Sequence, residues 1–312
     1  MNIRTYRPGD EAEQVPIYNE AAAGLPKFKP ATVEEIRRRC QARDFDPTTR
    51  FFAEEAGRIV GYASFHLNGR VSYPWARQGF EQVSQPLFDQ VIQAMRSRGI
   101  NRAFAAYRGD WPSITAFFEK SGFHRAREMV SFVLDFVDLP TLTGKTSLPR
   151  ASLRKEDLPA IRDLIPGLLR ITDPAQLERY FFNNPYFAPE ALVVLRSRTT
   201  GAAAAVSILI DDPVYADPKQ TDAAMPCFRL GAFGTEGMQP KRVKGLFSFV
   251  APPDRNLPQL GMDLLGHAVS RLDESDATCL AAQVPSDAPH LLRFYESHFR
   301  KQGSFPVYER AL

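Results

Sequence analysis

Apolar and polar positions in the last quarter of the chain fall into blocks with the lengths of strands and helices. Residues 246–251 form an apolar and aromatic run of strand length, which Pro252 and Pro253 end. The polar stretch 255–261 follows, and after it the apolar residues between Leu260 and Leu272 recur at helical spacing. The pattern therefore predicts a strand, a loop and an amphipathic helix in that order.

A second strand and a second helix are predicted directly afterwards. Residues 279–284 form another apolar run, and Asp287 and Pro289 then open a helix that carries an aromatic pair. A helix that begins just beyond a strand directs its free backbone N–H groups past the strand's end, where they favour anions and phosphate in particular. The start of the first helix, near Leu260, is therefore a candidate anion site.

Segments of the first half of the chain recur in the second half in the same order. The matched segments are 3–21 with 150–166, 45–65 with 187–209, and 110–119 with 287–296. Three matches in one order favour tandem domains of common design. The stretch between them, 136–150, mixes Pro, Gly, Thr and Ser without periodicity. We place the boundary near Gly144, which gives domains 1–143 and 144–312.

Each half alternates strands with helices, which predicts an α/β (α+β) protein with a mixed central sheet in each domain. The strand–loop–helix–strand–helix order, with Tyr295 in the last helix, resembles the GNAT acyltransferase superfamily. The resemblance implies two tandem GNAT-like domains, each a mixed, mostly antiparallel sheet flanked by helices. It also implies that the fourth and fifth strands are parallel and splay apart around the cofactor, acetyl-CoA or another acyl-CoA.

The resemblance assigns cofactor contacts to the strand end and to the helix start. Asn256, Gln259 and Gly261 fall on the family's loop pattern Q/R-x-x-G-x-G/A, with Asn256 in place of Gln/Arg and Gln259 in place of the first glycine. Backbone N–H groups near Phe249 and Val250 would face the pantetheine and the thioester carbonyl of the cofactor. Backbone N–H groups at the helix start would hold its diphosphate. The implied cofactor-binding residues are Phe249, Val250, Asn256, Gln259, Leu260, Gly261 and Met262.

The first half departs further from the family's pattern. The loop positions that correspond are Gly79, Gln82 and Ser84, so both motif glycines are missing, and Glu81 beside them would repel a diphosphate. Phe118 stands where the second half has Tyr295. We therefore expect a degenerate N-terminal domain and a catalytic C-terminal domain. The alternative is that the first half still binds acyl-CoA in a divergent way.

By resemblance, Tyr295 is the acid that meets the departing thiolate. The alternative is an amphipathic tyrosine packed with its hydroxyl at a solvent-exposed rim. The candidate general base is Glu236, because flanking glycines would let it approach a substrate closely. Asp211, Asp212 and a solvated hairpin role for Glu236 are the alternatives.

Composition narrows the functional class. A length of 312 residues suits two domains, and 44% hydrophobic with 24% charged residues is typical of globular proteins. The net charge of +3 is too small to favour nucleic acid or a membrane surface as partner. No apolar run approaches the ~20 residues of a membrane span, and no signal peptide is recognisable. Three widely spaced cysteines and unpaired histidines favour neither disulfides nor a metal site, so we expect a cytoplasmic protein.

The prediction is an acyl-CoA-dependent N-acyltransferase, first of all an N-acetyltransferase, that acylates a primary amine in a ternary complex. The expected partner is a small-molecule or peptide amine acceptor, and a homodimer is left open. The alternative is a non-catalytic acyl-CoA-binding sensor or interaction protein.

Overall fold

A computed structural model of the chain describes residues 1–26, 28, 30–41, 45–139, 148–164, 174–182, 189–211, 243–273 and 279–312. The chain divides into two compact units that interleave along the sequence. Unit 1 comprises residues 1–127 and 305–312, and unit 2 comprises residues 128–304. The predicted boundary near Gly144 lies outside the described residues, and the partition into 1–143 and 144–312 stays a prediction.

The described residues of the first half of the chain form ten α-helices and β-strands in an alternating order. They are β1 (Asn2–Thr5), α1 (Glu11–Ala22), α2 (Val33–Cys40), β2 (Arg50–Glu55), β3 (Arg58–Ser64), β4 (Trp75–Ala76), α3 (Ser84–Ser97), β5 (Arg102–Ala106), α4 (Pro112–Lys120) and β6 (His124–Asp135).

The described residues of the second half repeat this plan with ten further α-helices and β-strands. They are β7 (Arg150–Ser152), α5 (Leu158–Leu164), α6 (Pro174–Phe182), β8 (Leu192–Arg196), β9 (Ala203–Ile210), β10 (Val243–Val250), α7 (Leu257–Asp273), β11 (Cys279–Pro285), α8 (Pro289–His298) and β12 (Arg300–Ala311). Within the described part of the chain, no helix has the length and apolar character that crossing a membrane requires.

Unit 1 contains an antiparallel sheet in the order β1-β2-β3-β4. Its strand β5 pairs antiparallel with the last part of β12, where Val307 lies opposite Ala106. Residues 305–311 therefore complete a unit whose other elements come from the beginning of the chain.

Unit 2 is a mixed sheet in the order β6-β11-β10-β9-β8-β7. Adjacent strands in this sheet are antiparallel, except for β10 and β11, which run parallel. The predicted fold class, mixed and mostly antiparallel sheets flanked by helices, is confirmed.

Alternation along β10 separates two cores in unit 2. Phe247 and Phe249 point to one face, where they pack with the apolar stripe of α7 and with α8. On the other face, α5 and α6 pack against β8 and β9 through residues such as Ile161 and Val206. Helices therefore cover both faces of this sheet.

The internal repeat extends to side-chain contacts. In unit 1, Asp10 forms a two-pronged ion pair with Arg4 and accepts a hydrogen bond from the backbone N–H of Arg7 at 2.6 Å. In unit 2, Asp157 also forms a two-pronged ion pair, here with Arg196 of β8, and accepts a hydrogen bond from the backbone N–H of Arg154 at 2.8 Å.

The last helix of each half also begins in the same way. Trp111 precedes α4 with φ −110° and ψ 72°, and Ala288 precedes α8 with φ −113° and ψ 70°. A proline follows in both cases, at the first helical position where its missing N–H costs nothing. Phe118 and Tyr295 consequently occupy the same place on equivalent helices.

Candidate active site

The parallel strands β10 and β11 of unit 2 stop pairing before they end. Their register is Val243 opposite Cys279 and Leu246 opposite Ala281. Strand β10 continues to Val250 and β11 to Pro285, and neither extension is paired with the other. We call the space between residues 247–250 and 282–285 the splayed gap. Backbone N–H groups of β10 that point into it are available to a ligand.

Tyr295 reaches this gap from α8. Its ring lies among aromatic rings, with centroids 5.8 Å from Phe132, 5.8 Å from Phe249 and 5.0 Å from Phe299. The residue is 1% exposed, and its buried hydroxyl makes no hydrogen bond with the described residues. A buried polar group without a partner is rare in a folded protein, which makes Tyr295 a candidate site residue.

Burial strongly raises the pKa of Tyr295, because the charged phenolate is disfavoured away from water. The backbone N–H of Phe249 and the hydroxyl of Ser248 lie close enough to oppose part of that rise. The phenol therefore stays protonated at neutral pH and can donate a proton or a hydrogen bond. A hydroxyl at an exposed rim, the alternative from the sequence, is not what the structure shows.

Ser248 is a residue that our sequence reasoning missed. It is exposed, and it points to the face of β10 opposite Phe247 and Phe249. The signal was present in the sequence, because Ser248 is the one polar residue between Gly245 and Ala251.

Two further polar residues share the face of Ser248. Leu246, Ala281 and Val133 form one apolar cluster on three neighbouring strands. Ser248, Gln283 and Ser131 each lie two positions from these residues, and therefore on the same face. The side-chain amide of Gln283 donates to Ser131 Oγ at 3.3 Å. This side of the splayed gap is thus lined by neutral polar groups.

The start of α7 differs from the expectation. Residues 255–261 were predicted to form a loop, which is wrong, because α7 begins at Leu257. Pro258 lies at the second helical position, where its fixed φ suits a first turn. Leu257 extends the apolar stripe of Leu260 and Leu264 backwards by one turn.

Most backbone N–H groups at this helix start are already bonded within the chain. The N–H of Asn256 donates to Asp254 Oδ1 at 2.8 Å, and that of Leu257 donates to the Asp254 carbonyl oxygen at 3.2 Å. The N–H of Leu260 donates to the Asn256 carbonyl at 2.9 Å, and Pro258 has no N–H. The amide of Gln259 is the remaining donor of the first turn within the described structure.

Gly261 has a packing role. A Cβ atom there would lie 2.7 Å from Phe249 Cζ and 2.7 Å from Phe294 Cε2, so only glycine lets α7 approach these rings. Met262 is half-buried against the same core, and Val250 packs towards α5 and α6. Cofactor contacts of Phe249, Val250, Asn256, Gln259, Leu260, Gly261 and Met262 stay predictions.

The carboxylates proposed as the general base are not brought to the gap by the described structure. Glu236 and Asp212 lie outside the described residues. Asp211 forms an ion pair with Arg271, with Nη2 2.9 Å from Oδ2. The role of Glu236 therefore stays a prediction.

Unit 1 contains the equivalent gap in a filled form. Its parallel contact pairs Arg70 with Phe104, and counting from that pair equates Tyr73 with Phe249 and Phe118 with Tyr295. The hydroxyl of Tyr107 accepts a hydrogen bond from the backbone N–H of Tyr73 at 2.6 Å. The amide equivalent to that of Phe249 is thus occupied by the protein itself.

Large side chains fill the rest of the unit 1 gap. Tyr107, Trp111 and Phe118 are at most 2% exposed, and the ring of Tyr107 stacks on Phe118 at 5.6 Å. The same count places Val284 and Ala288 of unit 2 at the positions of Tyr107 and Trp111. Unit 2 therefore has small residues where unit 1 has two of its largest.

The helix start in unit 1 is also closed by a carboxylate. Glu81 Oε1 accepts the backbone N–H of Gly79 at 2.9 Å, and this bond lowers the pKa of Glu81. A negative charge therefore lies beside the predicted loop, and the degenerate character of this domain stays a prediction.

No family model and no curated protein matches the chain. Solved structures do match over its full length. A "GCN5-related N-acetyltransferase" from Sphaerobacter thermophilus aligns over 99% of this chain and 95% of its own, with TM-score 0.60 and 14% identity. A "tandem GNAT protein from the clavulanic acid biosynthesis pathway" covers 99% and 98%, with TM-score 0.56 and 13% identity. The chain has the tandem GNAT fold.

A further match supports the GNAT fold in both halves. A "GCN5-related N-acetyltransferase" from Kribbella flavida aligns over 100% of this chain and 71% of its own, with TM-score 0.55 and 12% identity. The splayed parallel pair expected of a GNAT fold is present in unit 2, with a tyrosine hydroxyl buried beside it.

Proposed function

We propose that unit 2 transfers an acyl group, first of all acetyl, from acyl-CoA to a primary amine in a ternary complex. The observation that carries the proposal is the splayed gap with the buried, unpartnered hydroxyl of Tyr295 beside it. With its widely spaced cysteines, the enzyme is proposed to act in the cytoplasm, on a small-molecule or peptide amine.

Acyl transfer to an amine makes three demands on a protein. The amine must be neutral when it attacks, the thioester carbonyl must be polarised, and the departing thiolate must be met by a proton. The backbone N–H of Phe249 lies at the edge of the gap and would polarise the thioester carbonyl. The phenol of Tyr295 would give the proton to the thiolate, because burial keeps it protonated. Glu236 remains our proposed base for the amine.

Acyl-CoA would be held mainly by its pantetheine arm. The unpaired edge of β10 offers backbone groups of the kind that an extended amide-bearing chain can bond. The diphosphate would find fewer donors, since Asp254 uses the Asn256 amide and adds a negative charge. The residues of unit 2 therefore fit the thioester end of the cofactor better than its diphosphate end.

Thermal-shift measurements with CoA, acetyl-CoA and longer acyl-CoAs test binding first, because a ligand that binds only the folded state raises the melting temperature. Amines are then screened with acetyl-CoA by following free thiol. We expect Tyr295→Phe to lower turnover by about 100-fold or more, with acyl-CoA affinity changed less than about twofold. Tyr107→Phe removes a buried hydroxyl from the filled gap of unit 1 and should leave turnover unchanged. Equal turnover of Tyr295→Phe and the parent protein would refute the assignment.

A non-catalytic acyl-CoA sensor is the second candidate. The departure of this helix start from the family's loop pattern favours it, because Gln259 replaces the first glycine. Acyl-CoA binding without acylation of any amine in the screen would support the sensor.

A further inference from the structure

The face of unit 2 that lies opposite α7 and α8 carries a polar side chain at the splayed gap. Leu246 and Ala281 are the last paired residues of β10 and β11. Ser248 and Gln283, two positions further, therefore lie at the same level on either side of the gap and on the same face. The Phe249 amide, proposed to polarise the thioester carbonyl, is one residue beyond Ser248. At about 3.3 Å per residue along a strand, Gln283 lies near the level at which the amine would attack.

The side-chain amide of Gln283 uses part of its hydrogen-bonding capacity within the protein. Its nitrogen donates to Ser131 Oγ at 3.3 Å, and the burial of Ser131 gives this end of the amide a fixed support. A glutamine amide has two N–H donors and a carbonyl that accepts. Within the described part of the chain, the second N–H and the carbonyl have no hydrogen-bond partner. The half-buried Gln283 thus presents one donor and one acceptor side by side.

The surroundings of Gln283 are neutral. The described residues of β6, β10 and β11 that share its face beside the gap carry no charge, and they are Met129, Ser131, Ser248, Val250, Gln283 and Pro285. Among these residues, a carboxylate on the acceptor would find no cation, and a second ammonium would find no carboxylate. An uncharged group that both donates and accepts hydrogen bonds fits this face better than an ion does.

We propose that Gln283 determines acceptor specificity by binding the carboxamide of an α-amino amide, an inference that rests on the proposed function. Two amide groups are complementary, since an N–H of each can donate to the carbonyl of the other. In an α-amino amide, the amine and the carboxamide are attached to one carbon, which suits the short separation along the strands between Gln283 and the Phe249 amide. A lysine side chain fits less well, because a long stem separates its amine from the nearest amide. Amino-acid amides and peptide N-termini share the required chemistry.

Acetylation of matched acceptors by the full-length protein tests the proposal. Alaninamide, free alanine and isopropylamine differ in one group on the carbon that bears the amine. With acetyl-CoA, we expect kcat/KM for alaninamide to exceed that for the other two by about 10- to 100-fold. A carboxamide also lowers the pKa of the neighbouring amine, which raises its reactivity. The deciding quantity is therefore the change of these ratios in variants of Gln283.

Two substitutions of Gln283 separate hydrogen bonding from charge. Gln283→Leu keeps the approximate size of the side chain, and should lower kcat/KM for alaninamide about 10-fold or more and that for isopropylamine less than about twofold. The KM for acetyl-CoA and the melting temperature should stay unchanged. Gln283→Glu adds a carboxylate and should shift the preference towards 1,2-diaminopropane, whose second amine carries a positive charge. Gln93→Leu removes an exposed amide on α3 of unit 1 and, as the matched control, should change none of these values.

The outcomes distinguish this inference from the proposed function. The same ratio of alaninamide to isopropylamine in the parent protein and in Gln283→Leu would refute the role of Gln283 and leave the proposed function standing. Faster acylation of amines of other classes than of alaninamide and trialanine would do the same. A parent protein that binds acetyl-CoA and acylates no amine would refute both. If the inference holds, a preference for trialanine identifies a peptide N-terminus as the source of the amide, and a preference for alaninamide identifies a small molecule.

Discussion

In unit 1, Tyr107 and Trp111 occupy the positions that Val284 and Ala288 occupy in unit 2. The first pair fills the gap between parallel strands, and the Tyr107 hydroxyl takes the Tyr73 amide. The second pair leaves the equivalent amide of Phe249 beside an unpartnered phenol. One backbone plan therefore holds a filled gap in one copy and an amide beside an unpartnered phenol in the other. What separates the two is the size of two side chains and one hydroxyl.

The largest expected effect comes from removing a large side chain that fills the gap of unit 1. Trp111 is fully buried, and its indole N–H donates to the Pro26 carbonyl at 2.9 Å. Trp111→Ala should therefore lower the free energy of unfolding by about 3–5 kcal/mol, measured by denaturant titration. Trp111→Phe, which refills most of the space, should cost clearly less. A loss below about 1 kcal/mol for Trp111→Ala would show that the gap of unit 1 is not a packed core.

The second-largest expected effect concerns the Asp–Arg ion pair that each unit contains, which we call the clamp. Asp157 is tied to Arg196, whose hydrogen bonds hold the pKa of Asp157 below its ordinary value of 3.8. We expect Asp157→Asn to lower the free energy of unfolding at pH 7 by about 2–3 kcal/mol. Because the folded-state pKa is lowered, this stabilisation is present above pH 3.8 and is lost as the pH falls through the folded-state value.

Unfolding measured against pH checks this clamp. The difference between the parent protein and Asp157→Asn should shrink steadily below about pH 4. A difference that stays constant down to pH 2 would contradict an ionic clamp. Asp10→Asn, at the equivalent place in unit 1, should show a loss of similar size at pH 7.

Exchanging the two equivalent aromatic residues should give stability changes of opposite sign. Tyr295→Phe removes a buried hydroxyl that has no partner among the described residues, and should raise the free energy of unfolding by about 1 kcal/mol. Phe118→Tyr adds a hydroxyl to the filled core of unit 1 and should lower it by about 1–3 kcal/mol. Denaturant titrations of both variants measure the two changes in the free energy of unfolding. A loss of stability in Tyr295→Phe would mean that the hydroxyl already serves the fold.

The smallest expected effect is at the two helix starts. Asp254→Asn keeps an oxygen for the Asn256 amide and removes a negative charge near the diphosphate site proposed for unit 2. We expect acyl-CoA to bind about two- to fivefold more tightly at low salt, by calorimetry, with the gain reduced at high salt. Glu81→Gln makes the matching change in unit 1 and should leave affinity unchanged. Equal gains in both variants would place the cofactor in unit 1 as well.

Local patterns explain what could be predicted from the sequence. The shared Asp-x-Pro start fixes where α4 and α8 begin, so the equivalence of Phe118 and Tyr295 followed from spacing alone. The strands around Phe249 and Ala281 were recognisable as short apolar runs ended by proline or by polar residues. These features depend on neighbours within a few positions, which is the range that sequence patterns report.

The features that could not be predicted depend on distant contacts. Tyr107 lies on the far side of the gap from Tyr73, and only the fold brings the hydroxyl of one to the amide of the other. The role of Asp254 required knowing that α7 starts at Leu257. The position of Ser248 beside the splayed gap depends on β11 leaving β10 after Leu246, which no local pattern encodes.

The assignment of residues 305–312 to unit 1 has a consequence for biosynthesis. Unit 1 cannot be completed until these residues have been translated, and all of unit 2 precedes them. At roughly 5–20 residues per second, the ribosome needs about 10–35 s to pass from Arg127 to Phe305. Throughout that interval the nascent chain carries β5 with an unsatisfied edge, so we expect this protein to depend on chaperones more than a chain whose first domain closes upon itself.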